Sequence, residues 1–397
     1  MHVRRNDTLF RIVAVAGLAI ASLAGCTRGT QGIFATIEVE EKTDTSNLVD
    51  NTTVSALVRT AIGGSDRYVV LAGTKVFTRE TASSSWSEVG GPSGLAAVQL
   101  AGINSDSSAD TVVEEVYAVF FDSAAAEYHL YSLQASGTGV AWNEVADTSV
   151  WQASDGYQVT GLVGAGDRMF MSVSRNPDAS DAADKQRELW SIAAGPAVPV
   201  VLGGFSDSLR DAAYDGTNLV VVGRGTLIAR TTDITAASSL TDISASVTNA
   251  KGVGAFPSGL SGTGNDAFAI VTLDGTVSVS TDGGSTWTEA DGSLSDRSLS
   301  DIAWVAHRGM FVVGTRSETD FGTTRRGYYE ATATAGSPYS FSFTNDIGDS
   351  YSGSELAVSA ITFFEYFSDN TLFALTNGKG LWRTVYPTTG TTTWQWE

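Results

Sequence analysis

The stretch Ala269 to Thr281 (AIVTLDGTVSVST) decides the fold prediction, because its pattern recurs along the chain. An apolar run is followed by a turn containing glycine and by a second run in which apolar and polar residues alternate, which is typical of a β-hairpin. Two more stretches match it, Leu219 to Thr231 (LVVVGRGTLIART) and Phe373 to Thr384 (FALTNGKGLWRT). Asp274-Gly275 and Asn377-Gly378 favour a type I′ turn, in which both central residues have positive φ.

Weaker copies of this hairpin occur four times, and each of the seven copies follows a candidate strand. The weaker copies are Tyr68 to Arg79, Val116 to Leu133, Met169 to Ile192 and Met310 to Ala331. The candidate strands are Ser55 to Ala61, Ala97 to Ile103, Gln158 to Val163, Leu209 to Tyr214, Gly252 to Phe256, Leu299 to Val305 and Val358 to Glu365. Several hairpins are followed by a short fourth segment with tryptophan, at Trp86, Trp142, Trp287 and Trp394.

Seven units of four strands predict an all-β fold, a seven-bladed β-propeller of antiparallel strands over residues 52–397. The 42 glycines and 7 prolines of the 397-residue chain are typical of short strands joined by turns, and no window has sustained helical periodicity. Residues Gly32 to Glu40 alternate like one more strand, which either joins the last blade or lies along an outer edge. Residues 41–51 are polar and are predicted to be a tether or a loop.

Residues 1–25 have the pattern of a secretory signal peptide, with Arg4, Arg5 and Arg11 before an uncharged stretch that is too short to span a membrane. The segment Leu23 to Cys26 (LAGC) resembles the bacterial lipobox. The resemblance implies that Cys26 is lipidated, with acyl chains such as palmitate holding the mature chain on a membrane. Thr27 stands where many inner-membrane lipoproteins carry Asp, which favours the outer membrane. An ordinary signal peptide is the alternative.

Composition limits the partners and the sources of stability. Cys26 is the only cysteine, so the mature domain cannot form an internal disulfide and must rely on its apolar core. The formal net charge is −20 and the isoelectric point is near 4.4, which argues against a nucleic-acid partner. The sequence gives no indication of a cofactor.

The segment Ser280 to Trp287 (STDGGSTW) matches the pattern S-x-D-x-G-x-T-W at every defined position. It resembles the Asp box, or BNR repeat, of sialidases, sortilin-type receptors and photosystem II assembly factors with seven blades. The resemblance implies a structural turn between a third and a fourth strand, made by Ser280, Asp282, Gly284, Thr286 and Trp287. Degraded copies occur at Thr78 to Val89 and Arg230 to Leu240.

No catalytic residue and no metal site is predicted. A sialidase needs three arginines, a Tyr-Glu pair and an acidic residue on one face, and the mature chain lacks the F/Y-R-I-P stretch of that family. Arg325 to Glu330 (RRGYYE) has suitable residue types, but neighbours on a strand point to opposite faces. His129 and His307 are far apart, and the acidic loops lack the spacing of an EF-hand, so they are interpreted as solvated insertions, with calcium binding as the alternative.

The sequence therefore favours a non-catalytic binding or scaffold module on the cell envelope, with a protein, peptide or glycan as partner. Loops at the ends of a propeller vary without disturbing the sheets, so they are the expected location of a site. The longest insertions are Ser105 to Glu114, Asn176 to Arg187 and Ser317 to Arg326. A sialidase-type glycoside hydrolase is the alternative, which the Asp box and the fold alone keep open.

Overall fold

The structure is a computed structural model. It describes residues 48, 53–80, 85–104, 112–137, 139–145, 157–175, 186–194, 198–261, 265–292, 294, 297–316, 327–344, 361–377, 380–385 and 394–397. In these residues 29 strands form seven sheets, and the four main strands of each sheet follow one another along the chain and pair antiparallel. The predicted all-β fold and its seven four-stranded blades are confirmed.

The blades are numbered in chain order. Blade 1 contains β1 (Val54–Thr60), β2 (Arg67–Ala72), β3 (Lys75–Glu80) and β4 (Ser87–Val89). Blade 2 contains β5 (Leu95–Ile103), β7 (Glu115–Asp122), β8 (Glu127–Ser136) and β9 (Gly139–Glu144), with β6 (Val112–Val113) between β5 and β7 in the chain. Blade 3 contains β10 (Tyr157–Ala165), β11 (Arg168–Arg175), β12 (Gln186–Ala193) and β13 (Val200–Gly204).

The remaining four blades follow the same plan. Blade 4 contains β14 (Leu209–Tyr214), β15 (Leu219–Gly223), β16 (Ile228–Thr231) and β17 (Thr241–Asp242). Blade 5 contains β18 (Ala250–Phe256), β19 (Ala267–Thr272), β20 (Val277–Ser280) and β21 (Thr288–Glu289). Blade 6 contains β22 (Leu299–Val305), β23 (Met310–Thr315), β24 (Tyr328–Thr334) and β25 (Ser340–Thr344). Blade 7 contains β26 (Ile361–Tyr366), β27 (Thr371–Thr376), β28 (Leu381–Val385) and β29 (Gln395–Trp396).

The core lies between adjacent blades. Every residue of β2, β19, β23 and β27 is buried, because the second strand of a blade is covered on both faces by its neighbours. This explains why the second strands are continuous apolar runs rather than alternating ones. Between blades 5 and 6, Phe256 meets Phe311 edge to face at 5.0 Å, and each buried ring stabilises the fold by about 1.5–3 kcal/mol.

The first strands of successive blades pack around a central channel, and each carries a β-bulge near its start. A bulge adds one unpaired residue, bends the strand and re-aims the side chains beside it. The bulged residues are Ser55, Val98, Thr160, Arg210, Lys251, Ser300 and Thr362. The end of the channel at which these strands begin is called the upper mouth, and the opposite end the lower mouth.

Two features narrow the channel. A Cβ atom on Gly164 would lie 1.9 Å from the carbonyl oxygen of Gly102, so β5 and β10 approach more closely than any larger residue permits. In addition, β6 pairs in parallel with the channel-side edge of β1, with Arg59 opposite Val112. This strand was not predicted from the sequence, and it comes from an insertion within blade 2.

Side chains close the ring between blades 1 and 7. The buried Glu397 carboxylate accepts hydrogen bonds from Arg79 of blade 1, from Arg383 Nε of blade 7 at 2.5 Å and from Trp86 Nε1 at 3.4 Å. Nearby, Tyr68 Oη donates to Asp369 Oδ2 at 3.0 Å. Because these charges are withdrawn from solvent and paired with one another, the seam is sensitive to the loss of any one partner.

Several sequence predictions can be compared with these elements. All seven hairpins and all seven preceding strands are present. The type I′ prediction at Asp274-Gly275 is wrong, because only Gly275 has positive φ (80°) and the connection spans four residues between β19 and β20. Residues 1–25, Cys26, the segment 32–40 and Gly378 lie outside the described residues. Within the described part, no helix is long and apolar enough to cross a membrane.

Candidate functional site

The segment Ser280 to Trp287 forms a hydrogen-bonded turn between β20 and β21. Asp282 Oδ1 accepts from the Thr286 N–H at 2.9 Å, and Oδ2 accepts from the Thr286 hydroxyl at 2.6 Å. The Ser280 hydroxyl donates to Asp282 Oδ1 at 2.8 Å and accepts from the Gly284 N–H at 2.9 Å. Gly284 has φ of 79°, a conformation that glycine adopts without strain, and its carbonyl accepts from Trp287 Nε1 at 3.1 Å.

The contacts of this turn are structural. Burial opposes ionisation of Asp282, but hydrogen bonds from Thr286 and Ser280 outweigh it and hold the pKa of Asp282 below its usual value. Arg230 of blade 4 donates to the Gly283 carbonyl at 2.9 Å, so the turn also joins two blades. In blade 4, Asp233 accepts from the Thr235 N–H at 2.9 Å, two residues ahead, whereas Asp282 bonds to Thr286 four residues ahead, so the two turns differ.

The central channel contains a cavity of about 240 Å³. It is lined by the first strands of blades 1, 2, 3, 4 and 7 and by Val113 of β6. Four charged side chains reach it, namely Arg59, Arg210, Asp211 and Glu365. A ligand could be held in this cavity, whose lining the sequence did not predict.

Arg210 links four blades beneath the upper mouth. It is the bulged residue of β14, and it donates to the carbonyl oxygens of the bulged residues of the next three blades. Nε bonds to Lys251 O at 2.6 Å, and Nη2 bonds to Ser300 O at 3.1 Å and Thr362 O at 3.2 Å. Because a bulge leaves its backbone groups without ladder partners, the guanidinium satisfies carbonyls that would otherwise be unpaired.

Two aspartates make matching bonds between blades. Asp211 follows the bulge in blade 4, and its Oδ2 accepts from the Val253 N–H of blade 5 at 2.8 Å. Asp301 occupies the same position in blade 6, and its Oδ2 accepts from the Phe364 N–H of blade 7 at 2.6 Å. Both carboxyls therefore hold adjacent first strands together.

Glu365 differs from these aspartates. None of the described residues donates a hydrogen bond to its carboxyl, and its charged neighbours include Asp301 and Asp211. Burial, followed by repulsion from those two carboxyls, holds the pKa of Glu365 well above its usual value. Burial likewise raises the pKa of Asp211 and, together with the charge of Asp211, that of Asp301.

The two mouths of the channel differ in charge. At the upper mouth, Lys251 Nζ donates to Arg224 O at 2.7 Å, and the cationic groups of Arg224 and Arg316 lie close enough to Arg210 to lower its pKa, after burial itself. At the lower mouth, Arg59 is held by Asp66 at 2.6 Å and Asp369 at 3.3 Å. The upper mouth is therefore cationic, and the lower mouth has a small excess of carboxylates.

The arrangement does not reproduce a sialidase centre in the described residues. Three arginines surround the upper mouth, but the Oη of Tyr366 is at the lower mouth, where it bonds to His307 Nδ1 at 2.8 Å and donates to Asn370 Oδ1 at 3.0 Å. Tyr329 lies on the third strand of blade 6 and accepts from Arg297 Nε at 2.9 Å, so it does not reach the channel. Arg325 and Arg326 lie outside the described residues.

Other predicted positions have ordinary surroundings. His129 Nδ1 lies 3.0 Å from Glu144 Oε1 on the neighbouring strand. Across the described ranges, no three His, Cys, Asp or Glu side chains are arranged as ligands of one metal ion. Most of the three insertions proposed as binding loops lies outside the described residues, as does Cys26.

Comparisons with known proteins bear on the fold. No family model matches the chain, and no curated protein matches it. Among solved structures, the chain is similar to YCF48 from Cyanidioschyzon merolae, with a TM-score of 0.52 and 9% identity over 83% of this chain and 94% of that one. A structure of YCF48 bound to D1 peptide is similar at a TM-score of 0.54 and 11% identity, over 86% and 94% of the two chains.

The similarity extends to an unrelated assembly. A chain in the crystal structure of the mitotic checkpoint complex matches at a TM-score of 0.52 and 10% identity, over 84% of this chain and 90% of that one. What these proteins share with the chain is the propeller fold. Identities this low carry no function with them, so the function must be argued from the channel itself.

Proposed function

We propose that the mature chain is a binding module in which a partner protein, peptide or glycan is recognised at an end of the propeller, without catalysis. The observation that supports this proposal is that the charged groups around the channel bond to the backbone of neighbouring blades. Arg210, Asp211 and Asp301 are all engaged in bonds between blades, and none pairs with a nucleophile. These three residues hold the strands in position, and the cavity between the strands is available for part of a ligand.

The structural comparison supports the same class of function. YCF48, whose fold the chain shares, has a structure with a bound peptide. The cavity of about 240 Å³ is smaller than the roughly 300–1,000 Å³ of pockets that enclose whole small molecules. A cavity of this size can hold one side chain of a partner, while the rest of the partner lies on the loops around the channel mouth.

We further propose that Ser280 to Trp287 is a structural Asp box. We also propose that Cys26 is lipidated and holds the domain on an envelope membrane, with the outer membrane favoured. The support for the anchor is the sequence LAGC directly after an apolar stretch. Metabolic labelling with a palmitate analogue tests it. The wild-type chain should be labelled and sediment with membranes, whereas Cys26→Ser should be unlabelled. A labelled Cys26→Ser variant or an unlabelled wild-type chain contradicts the anchor.

The binding function is tested against hydrolysis on the purified mature domain. Residues 27–397 should bind immobilised envelope peptides or glycans saturably, and should release no sugar from sialosides above the level of a heat-denatured control. Catalytic turnover of a sialoside, abolished by Arg210→Ala, would replace the binding proposal with a sialidase-type hydrolase.

A further inference from the structure

The cavity contains one carboxyl that the rest of the fold does not use. Glu365 lines the channel cavity from β26, and the other charged groups around the cavity are already engaged with one another. On one side, the charge of Arg210 is opposed by Asp211 and Asp301. On the other, Arg59 is paired with Asp66 and Asp369.

Carboxyl groups therefore outnumber cationic groups here, and Glu365 adds to that excess. Seven charged groups surround the cavity or its lower mouth, and they are two arginines, four aspartates and Glu365. A carboxyl that is largely withdrawn from solvent is stabilised in its charged form by a cation nearby. Both arginines that line the cavity are already engaged, Arg210 with backbone carbonyls of three blades and Arg59 with Asp66 and Asp369.

The channel favours one route for a cation. Cationic groups of Arg224, Lys251 and Arg316 cluster at the upper mouth and repel a positive charge, as their effect on Arg210 and on one another indicates. The cavity extends to Arg59, Tyr366 and Phe367 at the lower mouth, where Asp66 and Asp369 keep part of their side chains exposed. A cation would therefore enter from the lower mouth.

The structure assigns to this cavity an organic monocation, an ammonium or guanidinium group, with the Glu365 carboxylate as its counter-ion. A lysine or arginine side chain on a partner segment has this chemistry, and so has a free alkylamine. The size of the cavity suits one side chain. A metal ion is disfavoured because Asp211 and Asp301 direct Oδ2 at backbone N–H groups rather than at a point shared with Glu365. This inference rests on the proposed binding function and specifies its chemistry.

Ligand titration of the mature domain tests the inference. The probes are a capped Gly-Gly-Lys-Gly-Gly peptide, the same peptide with norleucine in place of lysine, and n-butylammonium. The lysine peptide should bind on the order of tenfold more tightly than the norleucine peptide. Glu365→Gln, which keeps the side-chain size, should remove that preference, whereas Glu289→Gln on the exposed strand β21 should retain it.

A measurement on the wild type alone provides a second test. If Glu365 exchanges a proton for the cation, affinity for the lysine peptide should rise as the pH is raised, and binding should release a proton. n-Butylammonium that binds as tightly as the lysine peptide would assign the site to free amines. Equal binding of the lysine and norleucine peptides, or equal binding by the wild type and Glu365→Gln, overturns the inference. If a peptide or glycan partner binds the wild type and Glu365→Gln equally, the proposed binding function is still supported.

Discussion

At the scale of single residues, Asp282 shows how one carboxylate can organise a turn. Its two oxygens accept the N–H and the hydroxyl of Thr286 and the hydroxyl of Ser280, which keeps the chain between β20 and β21 in one conformation. Each of these hydrogen bonds contributes about 0.5–1.5 kcal/mol to stability in typical proteins. Because Asp282 is exposed, the lower part of that range applies.

Replacing Asp282 with alanine should therefore lower the free energy of unfolding by about 1–2 kcal/mol, because the turn loses its acceptors. Urea denaturation followed by tryptophan fluorescence measures the change. Thr281→Ala, an exposed neighbour, is the matched control and should stay within about 0.5 kcal/mol of the wild type. Equal effects of the two substitutions would contradict a structural role for Asp282.

Asp301 should make the ring less stable as pH rises. Burial raises the pKa of Asp301 to about 8 and that of Asp211 to about 6, above the value of about 3.9 in an unfolded chain. The folded state thus retains protons that the unfolded chain has released. The resulting stabilisation is complete below about pH 4 and is lost as the pH rises through 6 and 8.

Asp301→Asn removes this titration while keeping an oxygen that can accept the Phe364 N–H. Its unfolding free energy should fall less between pH 5 and pH 9 than that of the wild type, by an amount on the order of a few kcal/mol. Thermal denaturation across that range measures the difference. Glu289→Gln, on an exposed strand, should follow the wild type. Parallel curves for Asp301→Asn and the wild type would show that Asp301 is already ionised at neutral pH.

The residues differ in how far the sequence could reveal them. Asp282 and its partners lie within seven residues of one another, so a local pattern predicted the turn. Arg210 bonds to carbonyls 41, 90 and 152 positions away, and Glu365 is defined by aspartates on other blades. Contacts of this kind form only when the ring closes. They join residues that are far apart in the chain, so no local sequence pattern predicts them.

At the scale of elements, the repeated bulge explains how seven first strands form one channel. Each bulge leaves backbone groups unpaired, and bonds from Arg210, Asp211 and Asp301 satisfy several of them. The alternation of apolar and polar residues predicted these strands and their order. It could not predict the bulges, because an extra residue changes the pairing without changing the composition, nor β6, which pairs with a strand of another blade.

Close approach of β5 and β10 gives a prediction for Gly164. An alanine there would place Cβ against the backbone of Gly102, at 1.9 Å from its carbonyl oxygen, and the strands would have to separate. The free energy of unfolding should fall by about 1–3 kcal/mol, the usual effect of overpacking. Gly139→Ala, on the outer strand β9 with its nearest neighbour at 3.9 Å, should have little effect. Gly164→Ala that is as stable as Gly139→Ala would contradict the packing.

At the scale of the whole molecule, the ring depends on the seam between its first and last blades. Glu397→Ala leaves Arg79 and Arg383 without their buried carboxylate, which should lower the free energy of unfolding by about 3–5 kcal/mol. Glu88→Ala breaks the exposed pair with Lys75 and should cost no more than about 1 kcal/mol. Chemical denaturation compares the two. A seam variant no less stable than Glu88→Ala would mean that these charges do not hold the ring closed.

Seven blades in one closed ring is the claim on which the channel, its cavity and the proposed binding function depend. Thr53 of blade 1 and Asn377 of blade 7 are 324 positions apart in the chain, yet their side chains lie within 3.3 Å. Cysteines at both positions, in a Cys26→Ser background, should be joined within one molecule by a short bis-maleimide in the native state and not in urea. Native protein in which both cysteines react singly, without an intramolecular crosslink, would contradict the closed ring.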